Sequence, residues 1–202
     1  VRHYTTLVEK MGMFSSQFLD FQPNQLEIMY RGSLAKWDTS LLRLCFLKGF
    51  LQAAHDHASY VNADQLAESV GLHVAEDTDP GFTDYESAFK CCFKLKGKQF
   101  TIGGVVFSGP HPRITLINDF VCELEASGTM LVTTNSDKPG MIGVIGVCLG
   151  KHQININQFE LGRNVRGGEA MAVISVDQDI SKDILDELIS NDGIISVRKI
   201  VL

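Results

Sequence analysis

The chain has 202 residues, 45% hydrophobic and 21% charged. That balance excludes disorder, collagen and coiled coil as the main state and allows one large domain or two small ones. A net charge of −6 gives no broad attraction to nucleic-acid phosphates or anionic lipid, so neither nucleic acid nor membrane is expected as a partner. No apolar run approaches a membrane span and no signal pattern opens the chain. The sequence starts at Val1 inside a helical pattern, so it reads as a piece of something longer, with the cytoplasm as default location.

Apolar residues at helical spacing from Tyr4 to Phe18 predict a first helix, closed by the segment around Pro23. Leu26, Ile28 and Tyr30 alternate as a strand. Asp38-Thr39-Ser40 starts a helix that is apolar on most faces and therefore deeply buried. Asn62 opens a short helix that Gly71 stops. Leu72 to Ala75 begins a strand, and Glu76 to Asp84 reads as an acidic loop. Ser87 to Leu95 and Phe100 to Phe107 form a hairpin across Lys96-Gly97-Lys98. A tight loop, Ser108 to Pro112, leads to a second hairpin, Arg113 to Ile117 and Phe120 to Leu124.

After Gly128 the pattern changes. A strand from Met130 to Thr134 runs through Asn135-Ser136-Asp137-Lys138-Pro139-Gly140 into a helix ending near Lys151. Strands at Ile154 to Leu161 and Ala170 to Val176, a helix capped by Ser181, and a strand from Ile194 to Val201 complete a βαββαβ unit of ferredoxin-like type. The expected class is therefore α+β, with two small α/β-sandwich-type domains at 1–127 and 128–202.

Sites for chemistry are scarce. No dinucleotide loop, P-loop, zincin or nucleophile-elbow motif is present. The five cysteines lack ligand spacing and read as reduced, mostly buried thiols. His55 and His57 read as a solvated pair, and no metal site is assigned. Gly140, Gly143, Gly146 and Gly150 make a stripe costing about 1 kcal/mol each in helix stability. Close packing against the sheet or a second subunit, rather than a ligand, is the expected compensation.

Two constellations can bind. Around the turn at 135–140, Pro139 suits a first helical position, and the free N–H groups beside it can receive a carboxylate. Asp137 offers a carboxylate for an ammonium, Asn135 an amide, and Asn155 with Asn157 further amides, a set suited to a small zwitterion. The alternative is that Asp137 caps the helix and the asparagines belong to turns or strand edges. The second constellation is basic: Lys94, Lys96, Lys98, His111 and Arg113 bracket two hairpins and can hold a small anion. Arg113 and Lys94 are its leading candidates, and solvated lysines guarding a strand edge the bland reading.

Thr134-Asn135-Ser136-Asp137-Lys138-Pro139-Gly140-Met141-Ile142-Gly143, Gln153-Ile154-Asn155-Ile156-Asn157, Gly162-Arg163 and Gly167-Gly168-Glu169-Ala170 resemble an ACT domain. Trp37-Asp38-Thr39-Ser40-Leu41-Leu42, Lys48-Gly49, Tyr60-Val61-Asn62-Ala63 and Pro112-Arg113-Ile114 resemble the intervening, allosteric-substrate-binding domain. In this order they are similar to the C-terminal region of long-form D-3-phosphoglycerate dehydrogenases. The resemblance implies NAD-dependent oxidation of 3-phosphoglycerate, the first step of L-serine synthesis, by domains upstream of this chain. NAD belongs to those domains, so no catalytic residue and no cofactor is expected here. It also implies L-serine as feedback effector between paired ACT domains, in a homo-dimer or tetramer. Asp137 would meet the ammonium, Asn155 of the same chain or its partner the carboxylate or hydroxyl, and Asn135, Pro139 and Gly140 would line the pocket. Some members carry histidine or tyrosine at the position of Asn135 and asparagine at that of Asp137. Glu125 and Ser175 stand where arginine can occur in members with an anion site. The competing expectations are an effector-insensitive dimerisation module and the regulatory part of an L-serine dehydratase.

Overall fold

The computed structural model describes residues 2–81, 85–107, 111–163 and 167–202. In chain order the helices are α1 (Arg2–Phe18), α2 (Ser40–Leu51), α3 (Ala63–Ser69), α4 (Met141–Lys151) and α5 (Lys182–Ile189). The strands are β1 (Gln25–Gly32), β2 (His73–Asp79), β3 (Ser87–Leu95), β4 (Lys98–Phe107), β5 (His111–Ile117), β6 (Phe120–Glu125), β7 (Thr129–Ser136), β8 (Ile156–Arg163), β9 (Glu169–Val176) and β10 (Ile194–Val201). A 3-10 turn, Ser33–Lys36, follows β1. Backbone pairing makes a six-stranded sheet, β2-β1-β3-β4-β5-β6, and a four-stranded one, β10-β7-β9-β8. The fold is mixed α+β, as expected. None of the described helices is long and apolar enough to cross a membrane.

Packing divides the chain into residues 1–118 and 119–202. The sequence places the boundary at 127/128, so β6 is the element that changes sides. The reason is local: Gln158 Nε2 donates to the Glu123 carbonyl at 3.0 Å, and Phe120 lies where a side chain at Gly162 would stand.

In the first unit, the alternation of Leu26, Ile28 and Tyr30 puts every second side chain of β1 in the core. Fully buried Phe14, Phe46, Phe89, Phe93 and Phe100 join them, with ring centroids 4.6 Å apart for Phe50 and Phe93 and 5.6 Å for Phe46 and Phe89. The helices α1 and α2 cross where both are reduced to glycine. A side chain at Gly12 would strike the Phe46 carbonyl, and one at Gly49 the Glu9 carbonyl. The turn between β3 and β4 holds Lys96 and Gly97 at φ +42° and +86°, the left-handed pair that a two-residue hairpin needs.

One element runs longer than its sequence suggests. The acidic residues after Ala75 extend β2 to Asp79, parallel to β1 at the sheet edge. An edge strand can stay exposed, and here its charges are matched: Arg31 meets Asp77 at 2.8 Å, and Arg43 meets Glu76 at 2.5 Å. Tyr30 Oη donates to Glu76 at 2.7 Å, and burial followed by that carboxylate raises the Tyr30 phenol well above its usual value. The remaining acidic loop residues 82–84, residues 108–110 of the loop before Arg113, and residues 164–166 of the β8–β9 hairpin lie outside the described residues.

After β6 the second unit runs β7-α4-β8-β9-α5-β10, and the order of its four-stranded sheet is the one a split βαβ unit produces. One sheet face and both helices enclose Leu131, Ala172 and Ile174 with Ile145, Leu149, Ile184 and Leu188. All five cysteines are free; four are buried, and burial pushes the partly buried Cys122 thiol up to about 12.

Candidate functional site

The loop from β7 to α4 is pinned to both neighbouring strands as it leaves the sheet. Asn135 stands opposite Ala170 of β9 and Ile194 of β10. The Ser136 N–H donates to the Gly193 carbonyl at 2.8 Å, and the Asp137 N–H to the Gly168 carbonyl at 2.9 Å. The chain then turns through Gly140, at φ +96°, a left-handed conformation that α4 cannot include. Pro139 therefore precedes the helix cap instead of occupying the first helical position expected for it. The cap residue is Gly140 itself, so among the described residues no side-chain cap bond closes the start of α4. The N-terminal N–H groups of an eleven-residue helix, with the positive end of its dipole, are left to the space in front of them.

That space is a cavity of about 470 Å³ lined by Asn135, Asp137, Pro139 and Gly140, four of the five effector residues expected from sequence. Lys138, Leu161 and Arg163 are among the other residues of its polar and apolar walls. Asn135 is only 2% exposed. Its Nδ2 donates to the Ser136 carbonyl at 2.9 Å, which fixes the amide orientation. Its Oδ1 is buried and has no partner among the described residues. A buried acceptor left unmade costs about 1–3 kcal/mol, so this oxygen is a place where a ligand donor gains.

Asp137 has a second duty. Its Oδ2 accepts from the Gly167 N–H at 2.9 Å and lies 3.4 Å from Arg163 Nη1, tying the turn to the β8–β9 hairpin. Arg163 is a member of the cavity that residue-by-residue reasoning missed; it reads as hairpin sequence, and only the β8–β9 register brings it opposite Ala170. Its exposed fork is the group best shaped for a carboxylate. Lys138 is occupied by Asp192 at 2.6 Å, which holds the Asp192 carboxyl below its usual range.

Asn155 does not join this cavity within one chain. It precedes β8, whose first residue pairs with Val176, while the cavity sits at Ala170 on the other end of β9. The length of α4, a rise of about 16 Å, separates the two. Its side chain donates to Asp177 at 2.6 Å, and its N–H to Gln178 at 2.7 Å. Asn157 falls where the pairing shifts and faces solvent.

The basic constellation is likewise not assembled. Arg113 pairs with Val105, whereas Lys94 pairs with Gln99, six residues away along β4 or about 20 Å. Lys94 is bound to Glu27 at 2.9 Å, Lys98 lies 3.7 Å from Asp20, and Arg113 Nη1 donates to the Pro112 carbonyl at 3.0 Å. An anion site built on Arg113 and Lys94 together is excluded by this register.

The glycine stripe faces outward. Side chains at Gly143, Gly146 and Gly150 would meet nothing within 4 Å, so the stripe does not pack on its own sheet. Ile142 and Val147 beside it are 53% and 73% exposed, giving α4 a bare apolar face.

A family model for the D-3-phosphoglycerate dehydrogenase intervening domain matches residues 1–118. The chain is 30% identical over 205 residues to the D-3-phosphoglycerate dehydrogenase of Bacillus subtilis, covering 100% of this chain and 39% of that protein. It is 28% identical over 189 residues to that of Methanocaldococcus jannaschii, covering 93% and 36%. It is also 28% identical over 204 residues to the chloroplastic D-3-phosphoglycerate dehydrogenase 2 of Arabidopsis thaliana, covering 92% and 32%. The chain thus spans roughly a third to two fifths of the length of these relatives, and the similarity continues past the matched domain into the unit that carries the cavity. Through that intervening domain and the similarity along its whole length, the chain belongs to the D-3-phosphoglycerate dehydrogenase family.

Proposed function

We propose that this chain is the regulatory part of a phosphoglycerate dehydrogenase and that its C-terminal ACT-type unit binds L-serine as feedback effector in the cavity at the N-terminus of α4. The observation that carries the reading is the buried Asn135 Oδ1, unpartnered among the described residues, at the cavity in front of the α4 N-terminus, where Gly140 offers no side-chain cap. A serine ammonium would lie between Asn135 Oδ1 and the Asp137 carboxylate, and its carboxylate would take the α4 N–H groups and Arg163. The dehydrogenase names of the relatives agree with serine synthesis as the pathway and with NAD chemistry in the part of the protein outside this chain.

Regulation requires serine to favour one arrangement of the assembly over another. Pairing of two C-terminal units through the bare face of α4 would supply this, because Asn155 could reach the ligand only from a second copy. A dimer or tetramer built on such pairs is the expected assembly.

The test is calorimetric titration of the chain with L-serine, using glycine and D-serine as controls. Stereoselective heat at one or fewer ligands per chain supports the site, and Asp137→Ala abolishes it while leaving the dimer intact. Absence of heat and of any thermal shift at millimolar serine overturns it in favour of an effector-insensitive dimerisation module.

A further inference from the structure

The geometry points to a transition-metal site at the opposite end of α4, formed by Cys148, His152 and Glu187 and suited to Zn²⁺ or an ion of similar chemistry. Cys148 lies in the last turn of α4 and His152 is the C-cap four residues on, its N–H donating to the Cys148 carbonyl at 3.3 Å, which keeps the two on one side of the helix end. Glu187 comes from the last turn of α5, which packs beside α4. One donor atom from each of the three, a thiol sulfur, an imidazole nitrogen and a carboxylate oxygen, lies within 4.8 Å of the other two. His152 Nε2 is 2.8 Å from Glu187 Oε2.

Three further features favour a cation at this point. The last turns of α4 and α5 meet here, and the carbonyl ends of helices carry partial negative charge. Lys151 Nζ already sits on Glu187, 3.0 and 3.1 Å from its two oxygens, and its 64% exposed side chain can swing into water at little cost. Charge also balances, because a thiolate and a carboxylate neutralise a divalent ion while a neutral imidazole adds none.

The donor set selects the metal class. A buried sulfur ligand disfavours Mg²⁺ and Ca²⁺, which demand oxygen, and one sulfur, one nitrogen and one oxygen leave a tetrahedral ion a fourth position for water. Zinc–ligand distances of about 2.0–2.3 Å require the His152–Glu187 hydrogen bond to open so that the ion stands between them. On binding, the ion replaces the Cys148 thiol proton, which passes to solvent. His152 then presents the Nε2 lone pair, with its ring proton on Nδ1. The bound ion would staple α4 to α5.

The test uses the chain freed of metal by chelation and titrated with Co²⁺ as a spectroscopic substitute, followed by competition with Zn²⁺. The site predicts one Co²⁺ per chain, a thiolate-to-cobalt charge-transfer band, and its displacement by Zn²⁺. Cys148→Ser removes the band. His152→Gln, at a partly buried ring beside the surface, weakens binding at least about tenfold. Wild-type protein without the band overturns the site, as does a band surviving in Cys148→Ser or an unchanged affinity in His152→Gln. Should Cys148→Ser fail to fold, the His152 variant decides alone.

Discussion

At the scale of single residues, β7 carries two buried oxygens that lack partners among the described residues, Asn135 Oδ1 and Thr133 Oγ1. They differ in what lies before them: Asn135 lines the cavity and Thr133 does not. The Thr133 hydroxyl is therefore an unrelieved cost, and Thr133→Val is expected to stabilise the chain by about 1 kcal/mol, read as a higher urea midpoint at unchanged slope. Destabilisation instead would mean that the hydroxyl has a partner. Asn135 was legible in sequence as a candidate because it stands at a strand-to-helix turn. Its burial and its one unmade hydrogen bond were not, since both depend on the strands at either side. Asp137 shows the converse: sequence offered a cap or an ammonium partner, and the fold gave it Gly167 and Arg163 as well.

At the scale of elements, the crossing of α1 and α2 is set by two glycines facing backbone carbonyls. Gly49→Ala is expected to cost about 1–3 kcal/mol by overpacking, because the obstacle is the rigid Glu9 carbonyl; chemical denaturation measures it. The helices of the second unit depend on charge at their ends. Asp179, Glu187 and Asp192 all have carboxyls held below their ordinary range, by Lys199, by His152 and then Lys151, and by Lys138 respectively. A carboxyl lowered in the folded state stabilises above its unfolded value, about 4, and that contribution is lost as pH falls through the lowered one. The three groups are solvent-facing, so the effect is modest and screened by salt. The urea midpoint of the second unit is expected to fall between pH 6 and about pH 3, and high salt should shrink the difference. A midpoint that rises on acidification would refute the sign. The acidic strand β2 illustrates why sequence shortened an element: exposed Glu and Asp read as loop until Arg31 and Arg43 are seen beside them.

At the scale of the molecule, the bare apolar face of α4 is the surface on which assembly is proposed. Val147→Lys is expected to leave chain stability within about 0.5 kcal/mol, since the side chain is 73% exposed, while converting paired chains to monomers. Sedimentation velocity reads the result, and an unaltered dimer would move the interface elsewhere.

The sequence by itself determined the class, nearly every helix and strand, the βαββαβ order and the turn at 135–140, because periodicity, caps and turn residues act over a few neighbours. It also carried the family resemblance that the match over residues 1–118 supports. What only the tertiary structure decided was which distant residues meet. Sheet register separates Lys94 from Arg113 and Asn155 from Asn135, yet brings Arg163 to the turn. The packing of α4 on α5 joins Glu187 to Cys148 and His152 across a separation in sequence that no local pattern encodes. Burial then settles which polar atoms are left unpaired, a property of the enclosing walls that no residue possesses alone.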